Sequence, residues 1–220
     1  MKKQLLFLAM VLSAFFACRD DDDDSGIAYA DYANLQVGNY WIYERYSLDT
    51  NGVYTSLNAF DTVFIEKDTL INGQSYAKRV GPDPFLNVNQ PNRKKVASFL
   101  RDSLHYVVDH TGAVVLSSLN FTDTLLWRFD VDLHPPVPDT LVVVFDRMTD
   151  QNETASTPAG QFSTINNLRT IHYTKGWGPD QHMNRRYARD VGLVLEDLYA
   201  WISDPAKLVF GRRLVSYGRY

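Results

Sequence analysis

Cysteine is almost absent: the 220-residue chain holds one, Cys18. A single thiol excludes a disulfide framework and a multi-cysteine zinc module. An excess of positive charge is also missing. The 22 Lys and Arg face 26 Asp and Glu, for a net charge of −4, and the isoelectric point is about 5.7. That balance argues against nucleic acid as a partner, because phosphate neutralisation needs a basic surface. Glycine (12) and proline (9) stay near ordinary usage, so nothing collagen-like or low-complexity dominates. Nor does any apolar run reach the roughly 20 residues of a membrane-spanning helix. What is present is 45% hydrophobic and 13% aromatic residues, more than a disordered chain carries and enough for one core.

The N-terminus reads as an address. Lys2 and Lys3 precede an apolar stretch from Leu5 to Phe16 that only Ser13 interrupts, and Ala17-Cys18 follows. This is the layout of a signal peptide, here residues 1–17. The segment Ala14-Phe15-Phe16-Ala17-Cys18 resembles a bacterial lipobox, which implies cleavage before Cys18 and acylation of its thiol. Phe15 and Phe16 stand where the usual lipobox has Leu and a small residue. The bland alternative is a general secretory signal with an incidental cysteine. Arg19 and five aspartates, Asp20, Asp21, Asp22, Asp23 and Asp24, come next. Such a run is a solvated tether, and after an acylated cysteine it also resembles the export signal of lipoproteins displayed on the Bacteroidota outer surface. Residues 18–30 are therefore expected to be a lipidated acidic tether. Loss of Lys2 and Lys3 from the 22 basic residues leaves 20 against 26 acidic ones, a domain tethered to a membrane by its lipid rather than embedded in it.

From residue 31 to 220 the dominant period is two, the period of strands. Val37–Ser47 alternates aromatic and polar residues, and Asp61–Lys67 leads to Asn72-Gly73 and then Gln74–Val80. An Asn-Gly pair between strand-like runs is the strongest short-range hairpin signal. Leu104–Asp109 and Ala113–Leu119 suggest a second hairpin. Thr124–Val131, Thr140–Arg147, Gln161–Tyr173, Val191–Trp201 and Leu208–Tyr217 add strands, and the stretch 93–104 reads as strand although its apolar residues also fit helical spacing. Asp31–Leu35 suits a short helical turn. The fold expected is mainly β, one antiparallel curved sheet, half-barrel or barrel with few short helices.

Four short segments recur in a fixed order: Leu35-Gln36-Val37-Gly38-Asn39-Tyr40-Trp41-Ile42-Tyr43, Thr69-Leu70-Ile71-Asn72-Gly73-Gln74-Ser75-Tyr76, Pro158-Ala159-Gly160-Gln161-Phe162 and Tyr187-Ala188-Arg189-Asp190-Val191-Gly192-Leu193-Val194. Together they resemble uncharacterised Bacteroidota outer-membrane lipoproteins. Some members of that group resemble the periplasmic lipoprotein carriers, in which a curved antiparallel sheet surrounds a hydrophobic concavity. The resemblance implies a fold and a location, and it brings no catalytic residues.

Residue chemistry points away from catalysis. The five histidines show no zinc-protease or finger spacing; His172 and His182 with Asp180 between them are a weak metal candidate, outweighed by the reading as ordinary strand and loop residues. No Gly-x-Ser-x-Gly elbow is present. Asp130, Asp132, Glu196 and Asp197 are candidates for a glycosidase pair but read better as solvent-facing positions. No metal, cofactor or catalytic residue is assigned. Among the aromatics, Trp41 and Trp127 are expected in the core and Trp177 exposed, as a candidate ligand contact. Asp-Thr or Asp-Ser before an apolar residue occurs at Thr62, Thr69, Ser103, Thr124 and Thr140. This resembles a Bacteroidota O-glycosylation signal, with Thr69 and Thr140 expected to be the open sites; the same tripeptide also arises wherever a turn leads into a strand. The function expected is a surface-exposed outer-membrane lipoprotein that binds a glycan, lipid or protein, with a secreted-type hydrolase as the alternative.

Overall fold

The computed structural model describes residues 28–49, 51, 53–83, 94–132, 139–174, 178–198 and 209–220. Twelve strands form one antiparallel sheet: β1 (Asn39–Leu48), β2 (Tyr54–Ile71), β3 (Gln74–Pro82), β4 (Lys95–Ser103), β5 (Tyr106–Asp109), β6 (Val114–Ser117), β7 (Leu126–Asp132), β8 (Asp139–Thr157), β9 (Gly160–Tyr173), β10 (Gln181–Ala188), β11 (Gly192–Leu198) and β12 (Val209–Arg219). Their order is β6-β5-β4-β3-β2-β1-β12-β11-β10-β9-β8-β7. Every neighbour in space is therefore a neighbour in sequence, except that β1 pairs with β12. The sheet is a meander closed at its chain ends and left open between β6 and β7.

The local chemistry of these strands is legible. Asn72 (φ 51°) and Gly73 (φ 80°) form a two-residue turn between Ile71 and Gln74, which pair directly; both positive dihedrals match a type I′ hairpin. In β1 the pleat sends Asn39, Trp41, Tyr43 and Arg45 inward, and all four are buried. The inner face carries the core, in which Trp41, Val63, Ile65, Leu116, Met148, Ile165, Val194 and Leu214 pack together. Two long bonds hold β1 to the far side of β12. Trp41 Nε1 donates to the Val191 carbonyl at 2.6 Å, and Tyr43 OH donates to the Leu193 carbonyl at 2.9 Å. Across the open seam, Asn167 Nδ2 donates to the Val115 carbonyl at 2.7 Å, and Phe121 and Leu125 pack against the core. The sheet is thereby curled nearly into a barrel.

Two expectations need correction. Residues Asp31–Leu35 make bends rather than a helical turn, and no helix occurs among the described residues. The Asp31 carboxylate accepts the amides of Ala33 (2.9 Å) and Asn34 (2.6 Å) as a helix cap would, but Asn34 has φ 52°, a left-handed conformation that stops the turn there. Trp127 is 58% exposed rather than in the core. It sits on the sheet edge in β7, opposite Phe145, so only one neighbouring strand can cover it. Within the stretch 93–104, Lys95–Ser103 is strand β4, and β10 is a strand that the sequence pattern did not suggest.

Candidate functional site

Alternation brings an amide and four charged residues to the inner face of five consecutive strands. Asn167 on β9 pairs with Arg185 on β10, Arg185 with Glu196 on β11, Glu196 with Arg212 on β12, and Arg212 with Arg45 on β1. These direct register pairs form a polar belt around the interior. Arg212 Nε and Nη2 both donate to Glu196 Oε2, at 2.7 and 2.6 Å. Arg45 Nε donates to Asp61 Oδ2 at 2.7 Å, with Arg212 Nη1 3.9 Å from the same oxygen. On the other side, Asp146 takes a two-pronged bond from Arg169 at 2.8 and 2.9 Å and a third from Arg185 at 2.6 Å.

These pairs fix the ionisation states. Burial works to raise the Glu196 carboxyl, but Arg212, Arg185 and Arg79 outweigh it and hold the group below its usual range. Burial likewise opposes, and Arg169 and Arg185 overcome, in lowering Asp146. Burial pushes the Tyr43 phenol up to about 12 and raises that of Tyr187 as well, so both carry their protons at neutral pH. The Arg212 guanidinium stacks over the Tyr43 ring at 4.8 Å. A buried belt of this kind stays stable only while each charge keeps its partner.

One side of the belt faces a half-enclosed cleft of about 240 Å³. Its lining combines apolar Leu100, Val107, Leu116 and Leu193 with polar Arg79, Ser98, Asp109, Tyr187, Arg185 and Glu196. Arg79 on β3 and Ser98 on β4 are direct register partners. The cleft also reaches Trp41, Tyr43 and the N-terminal Ala33 and Leu35. An apolar cavity with a few convergent polar groups is the usual form of a small-molecule site.

The outer face carries a second polar chain. Tyr46 OH donates to Asp197 Oδ1 (3.1 Å), Asp197 Oδ2 accepts from Asn184 Nδ2 (2.8 Å), and Asn184 Oδ1 accepts from Asn166 Nδ2 (2.8 Å). Tyr46, Asn166 and Asp197 are all buried. Glu196 and Asp197 are therefore not the solvent-facing carboxylates expected; they lie on opposite faces of β11, each taken up by buried partners. The side chains of Asp130 and Asp132 lie outside the described residues.

Other sequence candidates separate similarly. His172 Nδ1 bonds Asp180 Oδ1 at 2.8 Å while His182 Nδ1 bonds Thr170 at 3.1 Å, so the two histidines have different partners. No group of three or more His, Cys, Asp or Glu able to hold a metal occurs among the described residues. Thr69 is half-buried and its hydroxyl oxygen is covered, so the expected open hydroxyl is not found there; Thr62 and Thr124 are exposed instead. Cys18, Asp20–Asp24, Trp177 and the Thr140 side chain lie outside the described residues.

Arg79, Arg185, Arg212, Asp61 and Asp146 were not candidates from sequence. In β10 the inward Arg185 interrupts the alternation of apolar residues and hides the strand as well as the site. Met183 and Tyr187 on either side of Arg185 were the available signal, two apolar positions at period two with one charged residue between them.

No protein-family model matches the chain, and no curated protein matches it. Among solved structures, it is similar to a candidate lipoprotein from Parabacteroides distasonis ATCC 8503, with 12% identity, a TM-score of 0.45, and coverage of 87% of this chain and 100% of that one. It is also similar to a candidate exported protein with a YmcC-like fold from Bacteroides fragilis NCTC 9343, with 13% identity, a TM-score of 0.46 and the same coverage.

Proposed function

We propose that the chain is a lipid-anchored, outward-facing outer-membrane lipoprotein whose β-domain binds a small apolar or amphipathic ligand in its interior cleft. The observation that carries the binding reading is the cleft itself, lined by apolar side chains together with a few charged ones. Hydrolysis is less well supported. A glycosidase acid needs a carboxyl raised above its usual range, yet Glu196 and Asp109, the two carboxylates lining the cleft, are both held low. Three guanidiniums act on Glu196. At Asp109, burial is outweighed by hydrogen bonds from Thr111 and Ala113.

Native mass spectrometry of the chain purified from its host tests the binding reading. A retained small molecule is expected, and Val107→Phe or Ser98→Leu, which fill the cleft, should exclude it while leaving the circular dichroism unchanged. No retained mass from the parent chain would overturn it. The anchor rests on the sequence. Cys18→Ser should move the protein from the membrane to the soluble fraction. Alanines at Asp20–Asp24 should turn it from protease-accessible to protease-protected in intact cells; unchanged cleavage would reduce the run to a spacer. The same preparation tests glycosylation, for which Thr62 and Thr124 are the exposed sites among the described residues: an intact mass equal to polypeptide plus lipid would eliminate it.

A further inference from the structure

The donors lining the cleft are not equally committed. Arg185 is bonded to Asp146 and Asn167, Arg212 to Glu196, and the Tyr43 hydroxyl to the Leu193 carbonyl. Arg79 lines the same cleft, and its guanidinium makes no hydrogen bond or ion pair with any described residue. Its charge reaches Glu196 and Tyr187, but Glu196 already holds Arg212 directly. The Tyr187 hydroxyl also lines the cleft without a hydrogen-bond partner among the described residues, and Ser98 stands across from Arg79 on the neighbouring strand. Arg79 and two hydroxyl-bearing residues therefore line one cleft in which Glu196 is already held by Arg212. Left in that state, Arg79 carries a positive charge that a partly desolvated site would more readily hold with a counter-anion.

We infer that the cleft takes a medium-chain aliphatic carboxylate, with its tail along Leu100, Val107, Leu116 and Leu193 and its carboxylate on Arg79 and the Tyr187 hydroxyl. The inference rests on the binding reading above and assigns its ligand class. The fork of Arg79 matches the two oxygens of a carboxylate, which a lysine or a lone hydroxyl would not. Tyr187 stays protonated because burial raises its phenol, so it donates rather than repels. The space, about 240 Å³, equals roughly eight water volumes, which suits a chain of about eight carbons and is small for a two-chain lipid or an oligosaccharide.

Calorimetric titration of the full chain carrying Cys18→Ser, which removes the need for a competing detergent, tests this with octanoate, octanol and octylamine as probes. Octanoate should bind at least ten-fold tighter than either neutral or cationic analogue, the size of a charge-assisted hydrogen-bond pair. Arg79→Gln should cost octanoate ten- to hundred-fold and leave octanol unchanged. Tyr187→Phe should weaken octanoate several-fold, again without moving octanol, which a merely structural loss would move. Equal affinity for octanoate and octanol, or octanoate binding unchanged by Arg79→Gln, would overturn the carboxylate assignment while leaving an apolar binding cleft. Failure of all three probes to bind would overturn this assignment; the native-mass experiment decides the broader reading separately.

Discussion

At Gly211 the smallest side chain decides whether two strands can close. A Cβ there would overlap the Tyr46 ring and lie 2.7 Å from the Glu196 carbonyl oxygen, and Tyr46 is fully buried. Gly211→Ala should therefore destabilise the domain by about 2–3 kcal/mol, because neither ring nor backbone has room to yield; urea denaturation measures it. Glu196 gives a pH signature. Its folded pKa is depressed below the ordinary 4.5, so the stability it contributes is present above 4.5 and is lost as pH falls through the lower folded value. Glu196→Gln should remove that contribution to the acid dependence and cost about 3 kcal/mol at pH 7, since it leaves Arg212 poorly compensated. Stability measured from pH 7 to 3 in both proteins separates the two effects. At this scale the sequence was half legible. Buried Trp41 followed from its neighbours, whereas exposed Trp127 did not, because position along a strand says nothing of position across a sheet.

Strands marked by alternation and turn chemistry could be read directly, and the Asn72-Gly73 hairpin is the clearest case. Two stretches could not. β10 places Arg185 inward between Met183 and Tyr187, and the second half of β8, Thr149 to Thr157, is nearly all polar. In each, tertiary pairing on both sides supplies what the segment itself lacks. The turn between β4 and β5 conflicts with its own sequence. Leu104 has φ 57°, a left-handed conformation costly for a bulky residue, and is 75% exposed, so no burial offsets the strain. Leu104→Asn should raise stability by about 1 kcal/mol, read as a higher denaturant midpoint at unchanged slope.

For the whole molecule, a meander was foreseeable from the spacing of strands and turns, but which ends would join was not, because pairing between β1 and β12 has no local signal. The closed seam lies between the chain's outermost strands, where the Tyr220 amide donates to the Gly38 carbonyl at 3.0 Å. The open one lies in mid-sequence, between β6 and β7. A circular permutant that links Tyr220 to Ala28 through about ten Gly and Ser residues and begins at exposed Thr122 would keep every strand pair. It should fold with stability within about 1 kcal/mol of the parent, whereas a permutant opened at Gly73 should be weaker, because it cuts a paired hairpin. Circular dichroism and denaturation of the two permutants give the comparison.

The β1–β12 pairing also sets a timetable. β1 is made early and finds β2 at once, but its other edge, with Trp41 and Tyr43 beside it, has no partner until Val209–Arg219 has been made. Closing so distant a pair is entropically slow, and until then the interior carboxylate Glu196 lacks Arg212, its direct partner. Under the export proposed above, this delay is an advantage. The ring cannot be completed on the near side of a membrane while its last strand is still being synthesised.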